Sequence, residues 1–249
     1  MTFEIINSGP ATGAENMQRD LTLCADVRSG AIPATLRLYT WQPWCVSLGK
    51  HQSADTMDQL LLRERGYDIV HRPTGGRAVL HADEVTYCIC VPVGDALEAR
   101  RVYHDVHMII FKALSGLTEH LSVAGLDADL RAHYASSGPL GQACFSSHAR
   151  TEILSSGRKV VGSAQRVLDG VVLQHGSILC GNGHEQLADI IIADEDQREK
   201  LRSSIMASST TLSQVASRQI TTDDVVTAIM AWTAANGTLI STPVNGSDN

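Results

Sequence analysis

No apolar run in this sequence is long enough to cross a bilayer, and its first residues, MTFEIINSGP, have neither the basic start nor the apolar core of a secretion signal. A cytoplasmic protein without a membrane partner is expected. An excess of basic residues is missing too: 20 Lys and Arg stand against 27 Asp and Glu. That balance argues against nonspecific nucleic-acid binding as the main activity, although Arg100-Arg101 and Arg158-Lys159 are local basic spots. Metal-ligand spacing is lacking. Cys88-x-Cys90 has no second Cys/His pair to complete a site, and His104 and His107 have no carboxylate at matching spacing. The 6 cysteines are scattered through a chain too large to need disulfide staples, so free thiols are expected. There is no internal repeat, and 249 residues can bury one large core. Residues 1–240 therefore read as a single domain and the Gly/Ser/Asp-containing 241–249 as a disordered tail.

What is present can be placed by capping and periodicity. Thr12 followed by Glu15 makes a capping box, and the stripe of Met17, Leu21, Cys24 and Ala25 or Val27 predicts a helix to about Ser29, before Gly30. Residues 36–39, 45–48, 68–72 and 85–91 read as strands, with a helix between the second and third that starts at Ser53 or Asp55 and closes at Gly66. Asp95 and Glu98 cap a long helix with Val102, Val106, Ile109, Ile110, Ala113, Leu114 and Leu117 on one side, predicted to end near Gly125. A short strand around Leu130 and a Ser/Gly/Pro-rich loop at 134–143 follow. Helical spacing returns at 184–201, behind Asn182 and Glu185, and at 222–234. Helices interleaved with short, mostly hairpin-linked strands predict an α+β fold, a mixed and largely antiparallel sheet with packed helices.

The stretch from Cys144 to Leu179 departs from a generic pattern. Ser156-Gly157 and Asp169-Gly170 sit between alternating apolar runs, as two-residue primed turns do. The second turn sets Leu168 opposite Val171, Gln165 opposite Gln174, Ala164 opposite His175 and Ser163 opposite Gly176. Polar and tiny residues thus meet where a purely structural hairpin would pair bulky ones. Three small residues in a row, Gly162-Ser163-Ala164, point to a bulge or to a ligand lying close to the backbone. Counting by twos from Lys159 places Val161, Ser163 and Gln165 on its face, with Glu152 diagonal to it. A solvated sheet face with a lone lysine fits this pattern, and so does a lysine aimed along a row of hydrogen-bonding groups.

A second informative stretch is RPTGGRAVLH, residues 72–81. Gly75-Gly76 permits backbone N–H groups to converge on an anion or a carbonyl, with Arg72 and His81 at the loop ends to assist, although a plain hairpin loop has the same look.

In order, RPTGGRAVLH, GRKVVGSAQ and QHGSIL resemble the lipoate/biotin protein ligase superfamily, and ENMQRD and LRLYTWQPWCVSLGKHQ are similar to it as well. The resemblance implies a biotin/lipoate protein ligase-like, class II synthetase-like catalytic domain. Lipoate ligases carry an additional small domain for which this chain length leaves no room. Ala143-Cys144-Phe145 ahead of Lys159, with Ala164-Gln165 after it, is similar to octanoyltransferases of the LipM type. That likeness implies transfer of octanoyl from octanoyl-acyl carrier protein to a lipoyl-domain lysine, of glycine cleavage H protein or a 2-oxoacid dehydrogenase E2, by a monomer without cofactor or metal. Cys144 would carry the thioester, and the Lys159 ammonium would favour its thiolate and, with N–H groups of 162–164, hold the oxyanion. Arg72, Gly75, Gly76, Ala78, His81, Gly162, Ser163, Ala164, Gln165, His175, Gly176 and Ser177 are the implied substrate-binding residues. The chain departs from the family pattern at His71 (a second arginine), Arg77 (a third glycine) and Ala82 (an aspartate), and Arg77 is expected to crowd the substrate loop. Competing functions are an ATP-dependent lipoate-protein ligase, an amidotransferase between lipoyl domains, and a noncatalytic binder of acylated carriers.

Overall fold

The structure, a computed structural model, describes residues 2–123 and 152–237. The expectations for Cys144, the strand near Leu130, the loop at 134–143 and the tail at 241–249 lie outside the described residues.

Two sheets form the frame. The larger runs β1 (Glu4–Ala11), β2 (Thr35–Trp41), β6 (Glu84–Pro92), β10 (Val171–Leu179), β9 (Arg158–Leu168), β8 (Ile153–Ser155) and β7 (Ser122–Val123). β1 and β2 are parallel and every other neighbouring pair is antiparallel. The smaller sheet sets β3 (Cys45–Leu48) between β4 (Asp68–His71), parallel, and β5 (Val79–His81), antiparallel. The expected mixed, largely antiparallel α+β architecture is what forms. β1 was not anticipated from the sequence, whose residues 4–11 carry Asn, Ser, Gly and Pro among the apolar ones.

Alternation assigns the two faces of the large sheet. On one, Tyr87, Ile89 and Val91 of β6 and Val172 and Ile178 of β10 pack with Val106, Ile110 and Leu114 of α3 (Ala96–Leu114) and Val225 and Ile229 of α7 (Thr222–Asn236) in the main core. On the other, Cys88, Cys90, Val171 and Leu173 meet Met17, Cys24 and Val27 of α1 (Gly13–Ser29). The small sheet lies beside α1 and has its own core, in which Val46, Leu48 and Leu80 pack on Leu201 and Ile205 of α5 (Glu195–Ser208). The two sheets therefore enclose space between them.

Helix ends follow local chemistry where a cap is strong. α1 has the full Thr12/Glu15 capping box and a left-handed Gly30 at its end. Elsewhere tertiary contacts moved the boundaries. Ser53 caps only a single 3₁₀ turn, and α2 (Gln59–Arg65) starts at Asp58, whose carboxylate accepts the N–H groups of Leu60 and Leu61. α3 stops at Leu114, with Ser115-Gly116 beyond it, rather than near Gly125. The helical stretch expected at 184–201 is interrupted: α4 (Leu187–Ile190) ends where Ile191 bridges to Met57, and Asp194 caps the new start of α5. α6 (Leu212–Ala216), one turn and a half, completes the helices of the described residues.

Both predicted turns have positive φ at both central residues, Ser156 and Gly157 and then Asp169 and Gly170, as type I′ turns require. The β9–β10 register is the expected one throughout. The β8–β9 register is not. It passes from Ile153↔Val161 to Leu154↔Lys159, leaving Val160 as an extra residue. A bulge of this kind inverts alternation, so Lys159 faces away from Val161, Ser163 and Gln165 and stands on the side of the sheet that carries Ala164 and His175.

Candidate active site

A cavity opens between the two sheets, with about 420 Å³ of space not filled by protein atoms, part of it open to solvent. Its walls are drawn from far-apart segments: Met17 of α1, Tyr39 and Trp41 of β2, Ser47 of β3, Arg72, Val79 and His81 around β5, Thr86 of β6, and the 162–164 and 175–177 segments of the β9–β10 hairpin. Of the residues proposed from sequence, Arg72, His81, Gly162, Ser163, Ala164, His175, Gly176 and Ser177 are brought together here.

The mid-ladder small residues allow close packing on the α3 side of the hairpin. A Cβ on Gly176 would stand 2.7 Å from the Gly162 carbonyl oxygen and 2.7 Å from the Tyr87 ring. Ser163 borders the cavity, but its hydroxyl is held by Tyr87 Oη at 2.6 Å and His107 Nε2 at 3.0 Å. Gln165 also belongs to the α3 side, where its amide donates to the Ala99 carbonyl and to Gln174. Burial lowers the His107 pKa to about 4, so this imidazole is a neutral hydrogen-bonding group.

At the Gly-Gly loop, the arginine engages backbone carbonyls. Arg72 is buried, and its guanidinium donates to the carbonyls of Ser47 (2.9 Å), Gly75 (2.9 Å) and Arg77 (2.7 Å) and to the Ser47 hydroxyl (3.1 Å). It binds its own loop together. Gly76, at φ +97°, lets the chain pass beneath that guanidinium, 2.7 Å from where a Cβ would sit. Gly75 is exposed on the loop beside it. Ala78 and Ala82 pack in the core of the small sheet, away from the cavity. Arg77 is buried and is not among the cavity walls, so it does not crowd them. His71 is exposed and contacts the Gln52 carbonyl.

Two histidines face the cavity with similar surroundings. His81 has Ser47 Oγ at 2.7 Å from Nε2 and Glu84 Oε1 at 2.7 Å from Nδ1, with Trp41 stacked on its ring at 4.1 Å. His175 has Thr74 Oγ1 at 2.6 Å from Nε2, while Asp20 Oδ2 lies 3.6 Å from Nδ1. Asp20 is engaged elsewhere, accepting from Arg37 at 2.6 Å and Tyr39 at 2.8 Å. Burial lowers the His175 pKa against the pull of Asp20. Ser47, Thr74, Glu84, Asp20, Trp41 and Thr86 were missed from the sequence. A signal existed for some of them: Ser47 interrupts the apolar run CVSL, and Glu84 and Thr86 alternate with apolar residues ahead of Cys88.

Lys159 lies beyond the cavity walls, buried against Glu152 with Nζ 2.6 Å from Oε1. The 5 described cysteines are all buried and free. Burial pushes Cys88 up to about 11 and Cys180 up to about 12, so neither is an available thiolate near neutral pH.

The lipoyl protein ligase A/B catalytic domain model matches residues 12–234. The chain belongs to that family. It is 34% identical over 241 residues to an octanoyltransferase LipM of Kyrpidia tusciae, covering 92% of this chain and 84% of the relative. It is 35% identical over 225 residues to one of Moorella thermoacetica, covering 88% and 80%. Among solved structures, a bipartite lipoate protein ligase from Thermoplasma acidophilum superposes with TM-score 0.67 at 17% identity over 94% of this chain and 83% of its own. A lipoate-protein ligase A bound with ATP does so with TM-score 0.63 at 17% identity over 94% and 84%. Those structures share the fold, and the two-sheet frame around the cavity belongs to it.

Proposed function

We propose that this chain is an octanoyltransferase. It takes an octanoyl group from octanoyl-acyl carrier protein and passes it to the lysine of a lipoyl domain, such as that of glycine cleavage H protein or a 2-oxoacid dehydrogenase E2. The observation that carries this reading is the match to octanoyltransferases along nearly the whole chain. A cytoplasmic setting suits these partners, and no helix among the described residues is long and apolar enough to cross a membrane.

Thioester exchange needs a thiolate, and Cys144 is the residue we assign to it. Attack on the donor forms an octanoyl-S-Cys144 bond and releases the carrier thiol. The acceptor amine then forms the amide and releases Cys144. Lys159 supplies the positive charge that favours the thiolate, and Glu152, at 2.6 Å, holds that ammonium in place. The cavity provides polar groups at its walls and apolar surface from Met17, Tyr39, Trp41 and Val79. Backbone N–H groups of 162–164 are the ones we assign to the oxyanion.

Incubation with octanoyl-carrier protein in EDTA without nucleotide, followed by intact and peptide mass spectrometry, tests the reading. One octanoyl group on Cys144, discharged on adding a lipoyl domain, is the expected result. An absolute need for ATP would instead make the chain a ligase.

A further inference from the structure

We propose that Ser47, His81 and Glu84 form a proton relay that deprotonates the acceptor amine during the second half of the reaction. The inference rests on the octanoyltransferase reading and assigns a step that Cys144 and Lys159 leave open. An alkyl ammonium has no lone pair, so a lysine acceptor must give up protons before and during attack on a thioester.

The hydrogen-bond directions are set by their surroundings. Glu84 is 1% exposed, and its Oε1 accepts from His81 Nδ1 at 2.7 Å and from Thr86 Oγ1 at 2.6 Å. Nδ1 therefore carries the proton of the neutral imidazole and Nε2 is left as an acceptor. Arg72 donates to Ser47 Oγ at 3.1 Å, so the serine's own hydrogen points at His81 Nε2, 2.7 Å away. One lone pair of Ser47 Oγ remains for a donor in the cavity, which both Ser47 and His81 line. The other carboxylate oxygen, Glu84 Oε2, is buried and has no hydrogen-bond partner among the described residues. A buried, half-satisfied carboxylate is stabilised by a cation formed beside it, which is what His81 becomes when it takes a proton. Trp41 stacked on the ring and Ser177 Oγ, 3.3 Å from Nδ1, fix the imidazole in this orientation.

The step balances as follows. The acceptor ammonium first gives one proton to water. As the resulting neutral amine nitrogen bonds to the thioester carbon, one of its two remaining protons passes to Ser47 Oγ while the serine hydrogen passes to His81 Nε2. The carbon–sulfur bond then breaks, and the imidazolium returns its proton through Ser47 to the departing sulfur or to water. Ser47 meets the amine, His81 is the base, and Glu84 is a positioning residue.

Hydroxylamine separates this role from a structural one, because it is neutral near neutral pH and attacks thioesters without a base. Octanoyl-loaded wild type, His81→Asn and Ser47→Ala are each discharged by a lipoyl domain and by hydroxylamine in single-turnover assays. Loading by octanoyl-carrier protein reports folding of the variants. The expected result is lysine transfer slowed about 10²-fold or more in both variants, with hydroxylamine discharge unchanged. Glu84→Gln should slow lysine transfer less. If His81→Asn fails to load, Ser47→Ala, which removes one hydroxyl, decides alone. Equal losses toward the two acceptors, or undiminished lysine transfer, overturn the relay. Wild type that accepts no octanoyl group overturns the octanoyltransferase reading, and the relay with it.

Discussion

His81 and His175 face one cavity from neighbouring sheets, each with a hydroxyl at Nε2 and a carboxylate toward Nδ1, yet they are different kinds of group. Glu84 stands 2.7 Å from His81 and takes one other bond, from Thr86. Asp20 stands 3.6 Å from His175 because Arg37 and Tyr39 already hold it. Burial then prevails over the distant charge, and the His175 pKa falls. A carboxylate beside an imidazole is thus not sufficient to make a base of it. What else the carboxylate serves decides.

The largest expected effect breaks the His175 side of this comparison. Asp20 and Arg37 are 0% and 2% exposed, and Asp20→Asn leaves the guanidinium buried without its counter-charge. A stability loss of about 3–5 kcal/mol is expected, read from denaturant midpoints, since removing one partner of a buried pair strands the other. A milder result, within the range of an ordinary surface substitution, would show that Asp20 is not the anchor of that network.

Acid sharpens the same contrast. His107 and His184 have pKa values lowered to about 4, chiefly by burial, from 6.5. The unfolded chain takes up protons first, so the stability these neutral rings contribute is present above about pH 6.5 and is lost as pH falls from there toward 4. Each should cost about 2 kcal/mol between pH 7 and pH 5, with His175 shifting in the same direction. Urea melts at the two pH values measure it, and equal stability at both would mean these rings are not held neutral.

The smallest effect concerns Thr74. Thr74→Val removes the hydroxyl at His175 Nε2 and should lower stability by about 1 kcal/mol while leaving lysine transfer within a few-fold of wild type. The corresponding Ser47→Ala, equally small in volume, should instead act on transfer. Thr74→Val impairing transfer as much as Ser47→Ala would erase the distinction between the two histidines.

Legibility followed the range of the interactions. The Asp169-Gly170 turn determines by counting the pairing of Val161–Leu168 with Val171–Ile178, and the Thr12/Glu15 box determines the start of α1, because both signals act within a few residues. The Ser47–His81–Glu84 chain joins three strands of two sheets, and Asp20 meets Arg37 across a helix and a strand. Nothing local distinguishes those residues from ordinary polar ones. Arg72 was legible as important, but a sequence places an arginine beside two glycines without showing that the carbonyls of Ser47, Gly75 and Arg77 hold its guanidinium.

The extra residue at Val160 has a consequence for comparing this chain with its relatives. Because one residue decides which side of the sheet receives the ammonium of Lys159, a homologue of equal length whose strand runs here without the bulge would present that charge to the α3 side, where Ser163 and Gln165 are, whereas one lacking only the residue at Val160 would keep it where it is. An alignment that slides a gap through GRKVVGSAQ away from Val160 can therefore assign this cation to the wrong side of the sheet. In this segment the placement of a gap is a statement about chemistry.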